Sequence, residues 1–235
     1  MANRIPAADM DLPHSRWIAC IFDFDGVIID SEPLHAEAKR LTLNHFRIPY
    51  HDGLFTAFKG RPDYVFFRHV AAELADGLTT ADEMEAFKVA SYLDLFDDVP
   101  LVPGALDFLE TAREVFPKLG LATSATRHDF ELGARKYQLA KWFDVIVTGD
   151  DTVKHKPDPE PYVNAMAALG VHSSNAIVVE DSPNGIHAAK AAECAVFGLT
   201  TNFQPQELRD AGADWVVASY AELLPALGLP ALLVR

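Results

Sequence analysis

Two pairs of acidic residues stand at the ends of apolar runs in this chain. Asp23 and Asp25 follow WIACIF in the stretch Asp23-Phe24-Asp25-Gly26, and Glu180 and Asp181 follow AIVV. If the first run is a strand that continues through Asp25, residues at i and i+2 point to one side and the two carboxylates share a face. Their repulsion is relieved by a divalent cation between them, or by one carboxyl staying protonated as a general acid. The competing reading is a pair of solvated loop acids. Glu180 and Asp181 add oxygen ligands of the kind Mg²⁺ accepts, with water and substrate phosphate completing its shell. Alternatively, they end a strand and cap the helix that opens after Ser182-Pro183-Asn184-Gly185.

Two further stretches offer groups suited to a phosphoryl oxygen. LGLATS ends in Thr123 and Ser124, whose hydroxyls and following backbone N–H groups can cradle an anion near a helix start, or cap that helix. Lys156 lies in the loop after DVIVTG, just ahead of a proline-led helix, where an ammonium would offset phosphate charge or be only solvated.

These groups gain meaning from the elements that must position them. WIACIFDF, LGLATS, DVIVTG, AIVVED, AVFGLT and DWVV are short apolar runs rich in strand formers. From Pro100 onward helical patterns alternate with them, which implies a doubly wound parallel α/β sheet, Rossmann-like, with right-handed crossovers. Ligands of such sheets bind beyond the strands' carboxyl ends, where all these residues fall. Between about Glu32 and Val99 the period changes to helical, in LHAEAKRLTLNHF, YVFFRHVAAEL and EMEAFKVASYLDLF, with no clear strand. The expected organisation is an N-terminal extension (1–16), a core (17–31 and 100–235) and an inserted small all-helical domain (32–99).

Composition narrows the partners. With 20 basic and 34 acidic residues, the formal charge is -14, so the overall field repels nucleic acid and anionic membranes, and an anionic substrate must be drawn by a local cation or by N–H groups. Cys20 and Cys194 sit in separate apolar runs and suit reduced core thiols. Residues 1–16 carry Arg4, Asp9 and Asp11 without an apolar run of signal-peptide length. A cytoplasmic monomer or homodimer, with no membrane span, is expected.

With the elements in place, DFDGVIIDS at Asp23 to Ser31, Thr123-Ser124, Lys156 within KPDP, and EDSPNG at Glu180 to Gly185 resemble the four ordered motifs of haloacid dehalogenase-like phosphatases. The resemblance spans about Trp17 to Val217 and includes the position of the helical insertion, which corresponds to a small cap. It is to the subgroup that holds sugar-phosphate phosphatases, phosphoglycolate phosphatases and beta-phosphoglucomutases. It implies Asp23 as nucleophile, forming an aspartyl-phosphate, and Asp25 as general acid and then base. It also implies Mg²⁺ on the Asp23 side chain, the Asp25 carbonyl and Asp181, with Glu180 touching the ion directly or through water, and Thr123, Ser124 and Lys156 holding the phosphoryl group.

In the cap, His35 matches a mutase histidine that assists the general acid, and Gly60-Arg61 resembles a hinge-like segment whose arginine reaches a substrate anion. Phe55, Phe58, Tyr64 and Phe67 either shape the pocket or form cap core. The mutase's cap arginine lies further beyond its glycine than Arg61 does, and Lys88 only approximates its cap lysine. The expected activity is therefore hydrolysis of a small phosphorylated metabolite, a sugar or sugar-acid phosphate. A mutase-type isomerase is the alternative, and a catalytically idle binding domain a third reading. Phosphonate or haloacid cleavage occurs in the wider superfamily, but Asp25 argues for phosphate esters.

Overall fold

A computed structural model of the chain describes residues 17–58, 63–96 and 99–226. The N-terminal extension expected over 1–16, and Gly60 and Arg61, lie outside the described residues. The chain divides into two compact units, one ending at Asp30 and resuming at Pro100, the other Ser31–Val99.

In chain order, β1 (Ala19–Phe22) is followed by α1 (Glu32–His45), α2 (Asp52–Ala57), α3 (Asp63–Glu73) and α4 (Ala81–Leu95). Then come α5 (Ala105–Val115), β2 (Lys118–Ala122), α6 (Arg127–Tyr137), β3 (Val145–Val147), α7 (Glu160–Leu169) and β4 (Ala176–Glu180). The last elements are α8 (Pro183–Ala191), β5 (Ala195–Leu199), α9 (Pro205–Asp210), β6 (Trp215–Val217) and α10 (Tyr220–Ala226).

The first unit is a six-stranded sheet in the order β3-β2-β1-β4-β5-β6, every neighbouring pair parallel. The strands are apolar throughout because helices cover both faces. Ala19 and Ile21 join a core with Tyr162, Ala165 and Leu169 of α7 and Ile186, Ala188 and Ala189 of α8. On the opposite face Phe22 packs edge-on against Phe108 of α5 at 5.8 Å, and Phe108 stacks on Tyr220 of α10 at 4.8 Å.

From β1 the chain steps outward to β2 and β3 on one side and to β4, β5 and β6 on the other, so β1 and β4 flank the point where direction reverses. The register brings three strand ends level: Phe22 pairs with both Leu121 and Val179. Asp23, Ala122 and Glu180 therefore leave the sheet in one row. The ladder extends slightly further, with Asp23 N–H donating to Val179 O at 3.0 Å and Thr123 N–H to Val147 O at 3.0 Å.

The second unit is helical, as its periodicity predicts. α1 and α3 both pack on α4, around Leu43, Ile48, Leu54, Phe66, Phe67, Val70, Ala75 and Met84. α4 opens on a capping box in which Thr80 and Glu83 satisfy each other's backbone N–H groups. The short α2 is not foreshadowed in the sequence; it spans six residues, includes Gly53 and buries only Leu54, too little to leave a helical period. Phe67 is fully buried and Phe55 and Phe58 pack on the same core, while Tyr64 is half-exposed. No helix among the described residues is long and apolar enough to cross a membrane.

Candidate active site

At the reversal point, β1, β4 and the loop before α7 bring three charged side chains together. The Lys156 ammonium donates to Asp23 Oδ1 and Glu180 Oε1, each at 2.7 Å. Its side chain is 7% exposed, Asp23's 10% and Glu180's 0%. Asp181 joins them, with ligand oxygens of Asp23, Glu180 and Asp181 all within 4.8 Å of one another.

Each of these groups has a local cause. Phe24, fully buried, packs on Phe130 of α6 at 5.0 Å and anchors the loop between Asp23 and Asp25. The loop turns at once, with Phe24 O accepting from Ile28 N–H and Ile29 N–H. The strand pleat expected to align Asp23 with Asp25 has therefore ended, because regular β1 stops at Phe22. A turn places Asp25 instead, and Gly26 takes a positive φ of 71° there. Lys156 is delivered by a loop that Glu160 clamps, its carboxylate accepting from Val153 N–H at 2.7 Å and Lys154 N–H at 3.1 Å.

Glu180 is fully occupied by protein donors. Oε1 accepts from Lys156 and from the Tyr162 hydroxyl at 2.9 Å. Oε2 accepts from Asp181 N–H at 2.9 Å, and from Ser182 N–H and Oγ at 3.0 Å. The helix-capping alternative for the acidic pair is not what the structure shows, since α8 is capped by Ser182, whose Oγ accepts from Gly185 N–H. Thr126, and neither Thr123 nor Ser124, caps α6. Thr123 is buried, and its Oγ1 accepts from Ala125 N–H at 3.0 Å, leaving its hydroxyl proton to donate elsewhere. Ser124 is exposed.

Three carboxylates share one ammonium in this enclosed space, so ionising all of them leaves unbalanced negative charge. Burial pushes the Asp23 carboxyl up to about 7, with Lys156 opposing the rise and Glu180 and Asp25 adding to it. Burial, then Glu180 and Asp23, hold Asp181 well above the usual carboxylate range. Burial works against the charge of Lys156, but Asp23 and Glu180 outweigh it and keep its pKa above the ordinary value. A hard cation with oxygen ligands fits this deficit of positive charge.

In the helical unit, His35 Nδ1 lies 2.8 Å from the Lys88 ammonium. An ammonium only donates, so Nδ1 accepts and the ring is neutral with its proton on Nε2. Burial and then Lys88 lower the His35 pKa to about 3. Its ring stacks on Tyr92 at 4.2 Å. Arg61 lies outside the described residues.

Sequence reasoning missed two residues that touch this constellation. Tyr162 is fully buried, reaches Glu180 and lies under Lys156, whose ammonium is 5.0 Å from the ring centroid. Its signal was a lone hydroxyl on the apolar helix PYVNAMAAL. Asn202, in the loop after β5, donates from Nδ2 to Asp181 Oδ2 at 2.8 Å.

The grouped acids and Lys156 stand at the carboxyl edge of a parallel α/β sheet, where ligands of such folds bind. Comparison with known proteins makes this specific: residues 20–199 match the family model described as haloacid dehalogenase-like hydrolase. The validoxylamine A 7'-phosphate phosphatase of Streptomyces hygroscopicus subsp. limoneus is 37% identical over 81% of this chain and 89% of its own. A phosphorylated carbohydrates phosphatase of Thermotoga maritima is 34% identical over 83% and 91%. Among solved structures, a CbbY variant from Rhodobacter sphaeroides in complex with Xylulose-(1,5)bisphosphate superposes with a TM-score of 0.70 at 26% identity, covering 90% of this chain and 99% of that one. The chain belongs to the haloacid dehalogenase-like hydrolase family. Its family and its phosphatase relatives support a phosphatase.

Proposed function

We propose that this chain is a Mg²⁺-dependent phosphomonoesterase of small phosphorylated metabolites, sugar phosphates or sugar-acid phosphates, working through an aspartyl-phosphate on Asp23. The observation that carries the reading is the enclosed group of Asp23, Glu180 and Asp181 around the single ammonium of Lys156. The carbohydrate-phosphate names of the relatives and the sugar bisphosphate held by the CbbY variant support the substrate class.

Mg²⁺ would be held by the Asp23 carboxylate, the Asp25 carbonyl and Asp181, and when bound it supplies the positive charge that a phosphate dianion needs beside a carboxylate. Lys156 orients Asp23 through Oδ1. An Asp23 oxygen attacks phosphorus, the bond from phosphorus to the ester oxygen breaks, and Asp25 gives its proton to the departing alkoxide. Asp25 then takes a proton from water as that water attacks phosphorus, which frees phosphate and restores Asp23. Thr123 donates its hydroxyl to a phosphoryl oxygen, with Ser124 beside it. Glu180, saturated by five protein donors, fixes Lys156 and the turn before α8 and does not itself ligate the ion.

A mutase must hold a second phosphate with cations of the cap. Lys88 instead donates to His35 and pairs with Asp63 at 2.7 Å, over the Tyr92 ring at 4.5 Å, and Lys39 pairs with the same Asp63 at 3.0 Å. This favours hydrolysis, with the helical unit as the cap that selects the leaving group. The buried, unlinked thiols of Cys20 and Cys194 suit a reducing, cytoplasmic location.

The test is incubation with Mg²⁺ and a panel of sugar phosphates, sugar-acid phosphates, phosphoglycolate and nucleotides, following phosphate release and phosphosugar interconversion. Phosphate release from the sugar compounds, abolished in a folded Asp23→Asn variant, is expected. Interconversion with little release would favour the mutase, and an Asp23→Asn variant with full turnover would overturn the mechanism.

A further inference from the structure

Asp181 ends the acidic pair after β4, and its two oxygens have unequal surroundings. Oδ2 accepts from Asn202 Nδ2 at 2.8 Å. The same oxygen is pressed by Gly26, since a Cβ on that glycine would lie 2.0 Å from Oδ2 and 2.6 Å from Asn202 Nδ2. Only a glycine backbone admits the carboxylate and the amide side by side. Asn202 belongs to neither acidic pair and is half-buried in the loop that leaves β5. It thus ties a third strand end to the loops after β1 and β4.

A carboxylate with one oxygen engaged on an amide and crowded by backbone has the other free to face a cation. That arrangement suits monodentate ligation. Mg²⁺ demands near-ideal octahedral geometry with small bite angles disfavoured, whereas Ca²⁺ tolerates bidentate carboxylates and a larger, flexible shell. Groups that orient a ligating carboxylate without touching the ion commonly change metal affinity by about 10–100-fold when removed.

We propose that Asn202 is a positioning residue that makes this site selective for Mg²⁺ over Ca²⁺, by holding Asp181 Oδ2 so that Asp181 presents a single oxygen. The inference rests on the metal reading above and adds to it a residue and a selectivity. Asn202→Leu keeps the side-chain size and removes the donor; Asn202→Ala removes both.

The experiment titrates Mg²⁺ and, separately, Ca²⁺ into the metal-free wild type and both variants by calorimetry, with thermal unfolding in EDTA as a check on folding. Both variants should bind Mg²⁺ about tenfold or more weaker, lose less affinity for Ca²⁺, and shift the Mg²⁺ to Ca²⁺ affinity ratio toward Ca²⁺ by about tenfold. If one variant melts early in EDTA, the other supplies the ratio. An unchanged ratio, whether both affinities hold or both fall equally, would overturn the selectivity role of Asn202 while leaving the metal site standing. A wild type that binds no Mg²⁺ would instead remove the metal reading itself.

Discussion

Gly185 has no side chain, and the Glu180 carboxylate fills the space one would occupy: a Cβ at 185 would lie 1.6 Å from Glu180 Oε1 and 2.3 Å from Oε2. In Gly185→Ala either the carboxylate or the start of α8 must move. Displacing Glu180 takes one partner from Lys156 and leaves an enclosed ammonium and a buried tyrosine hydroxyl short of acceptors. Breaking a buried ion pair costs about 3–5 kcal/mol. The variant should lose stability on that order in urea unfolding and at least about tenfold in turnover, because Lys156 also orients Asp23. Wild-type stability and rate would mean that α8 yields without disturbing Glu180. At this scale the sequence showed which residues could do chemistry, since acids, a lysine and a threonine at strand ends are legible as types. It did not show which of them saturate one another. As residue types Glu180 and Asp181 are alike, and only the family resemblance separates their expected roles, yet one receives five protein donors and the other one amide, a difference made by Lys156, Tyr162, Ser182 and Asn202.

Elements were legible where burial was uniform. The strand runs are apolar on both faces because helices cover the sheet twice over, and α1 and α3 show their buried stripe as a period, whereas α4 buries Lys88 between Met84 and Tyr92. Boundaries were less so: WIACIFDF reads as one strand through Phe24, but the regular strand ends at Phe22 and a turn opens at Phe24, and no propensity distinguishes the two. The loop after β5 carries no sign of the site in its sequence, because TTNF holds no charged residue. One junction between elements is held by a single acid. Asp144, just before β3, accepts both Arg113 guanidinium N–H groups from α5 at 2.6 and 2.8 Å, and Leu119 N–H of β2 at 2.9 Å. The Arg113 hydrogen bonds, opposed by burial and aided by the Leu119 amide, hold the Asp144 carboxyl at about 2. With a folded pKa below the unfolded value of about 3.9, its stabilisation is present above that value and is lost as pH falls through about 2. The pair is more than a third exposed, so solvent screening keeps the ionic part small. Asp144→Ala should cost about 1–2 kcal/mol at pH 7 in urea unfolding, chiefly through the unpaired Leu119 amide. The gap to wild type should narrow toward pH 2; a gap independent of pH would assign it to packing.

For the molecule as a whole, charge is the organising problem. A chain of net charge -14 repels a phosphate ester, and the Lys156 ammonium is already engaged by two carboxylates. Under the proposed function, a Mg²⁺ ion at the site would help draw the substrate, and the same ion would relieve repulsion among Asp23, Glu180 and Asp181. Such an ion would couple metal binding to folding: one bound only by the folded chain stabilises it by about 2.7 kcal/mol at a concentration one hundred times Kd. For a chain of this size that is a rise of roughly 5–10 °C in Tm, reversed by EDTA. Asp181→Asn separates this effect from simple charge removal. Without metal, Asp181 is, like Asp23, a carboxyl held well above the usual range, so a neutral isostere at that position should leave the metal-free Tm equal or slightly higher. The amide oxygen can still accept from Asn202, which preserves the link to the loop after β5. With Mg²⁺ the variant should show almost no rise, because an amide is a poor ligand for a hard dication. Thermal scans of wild type and Asp181→Asn across a Mg²⁺ series decide it. A full Mg²⁺ increment in the variant would place the ion elsewhere on this acidic surface, and the enclosed carboxylates would then balance their charge by protonation instead.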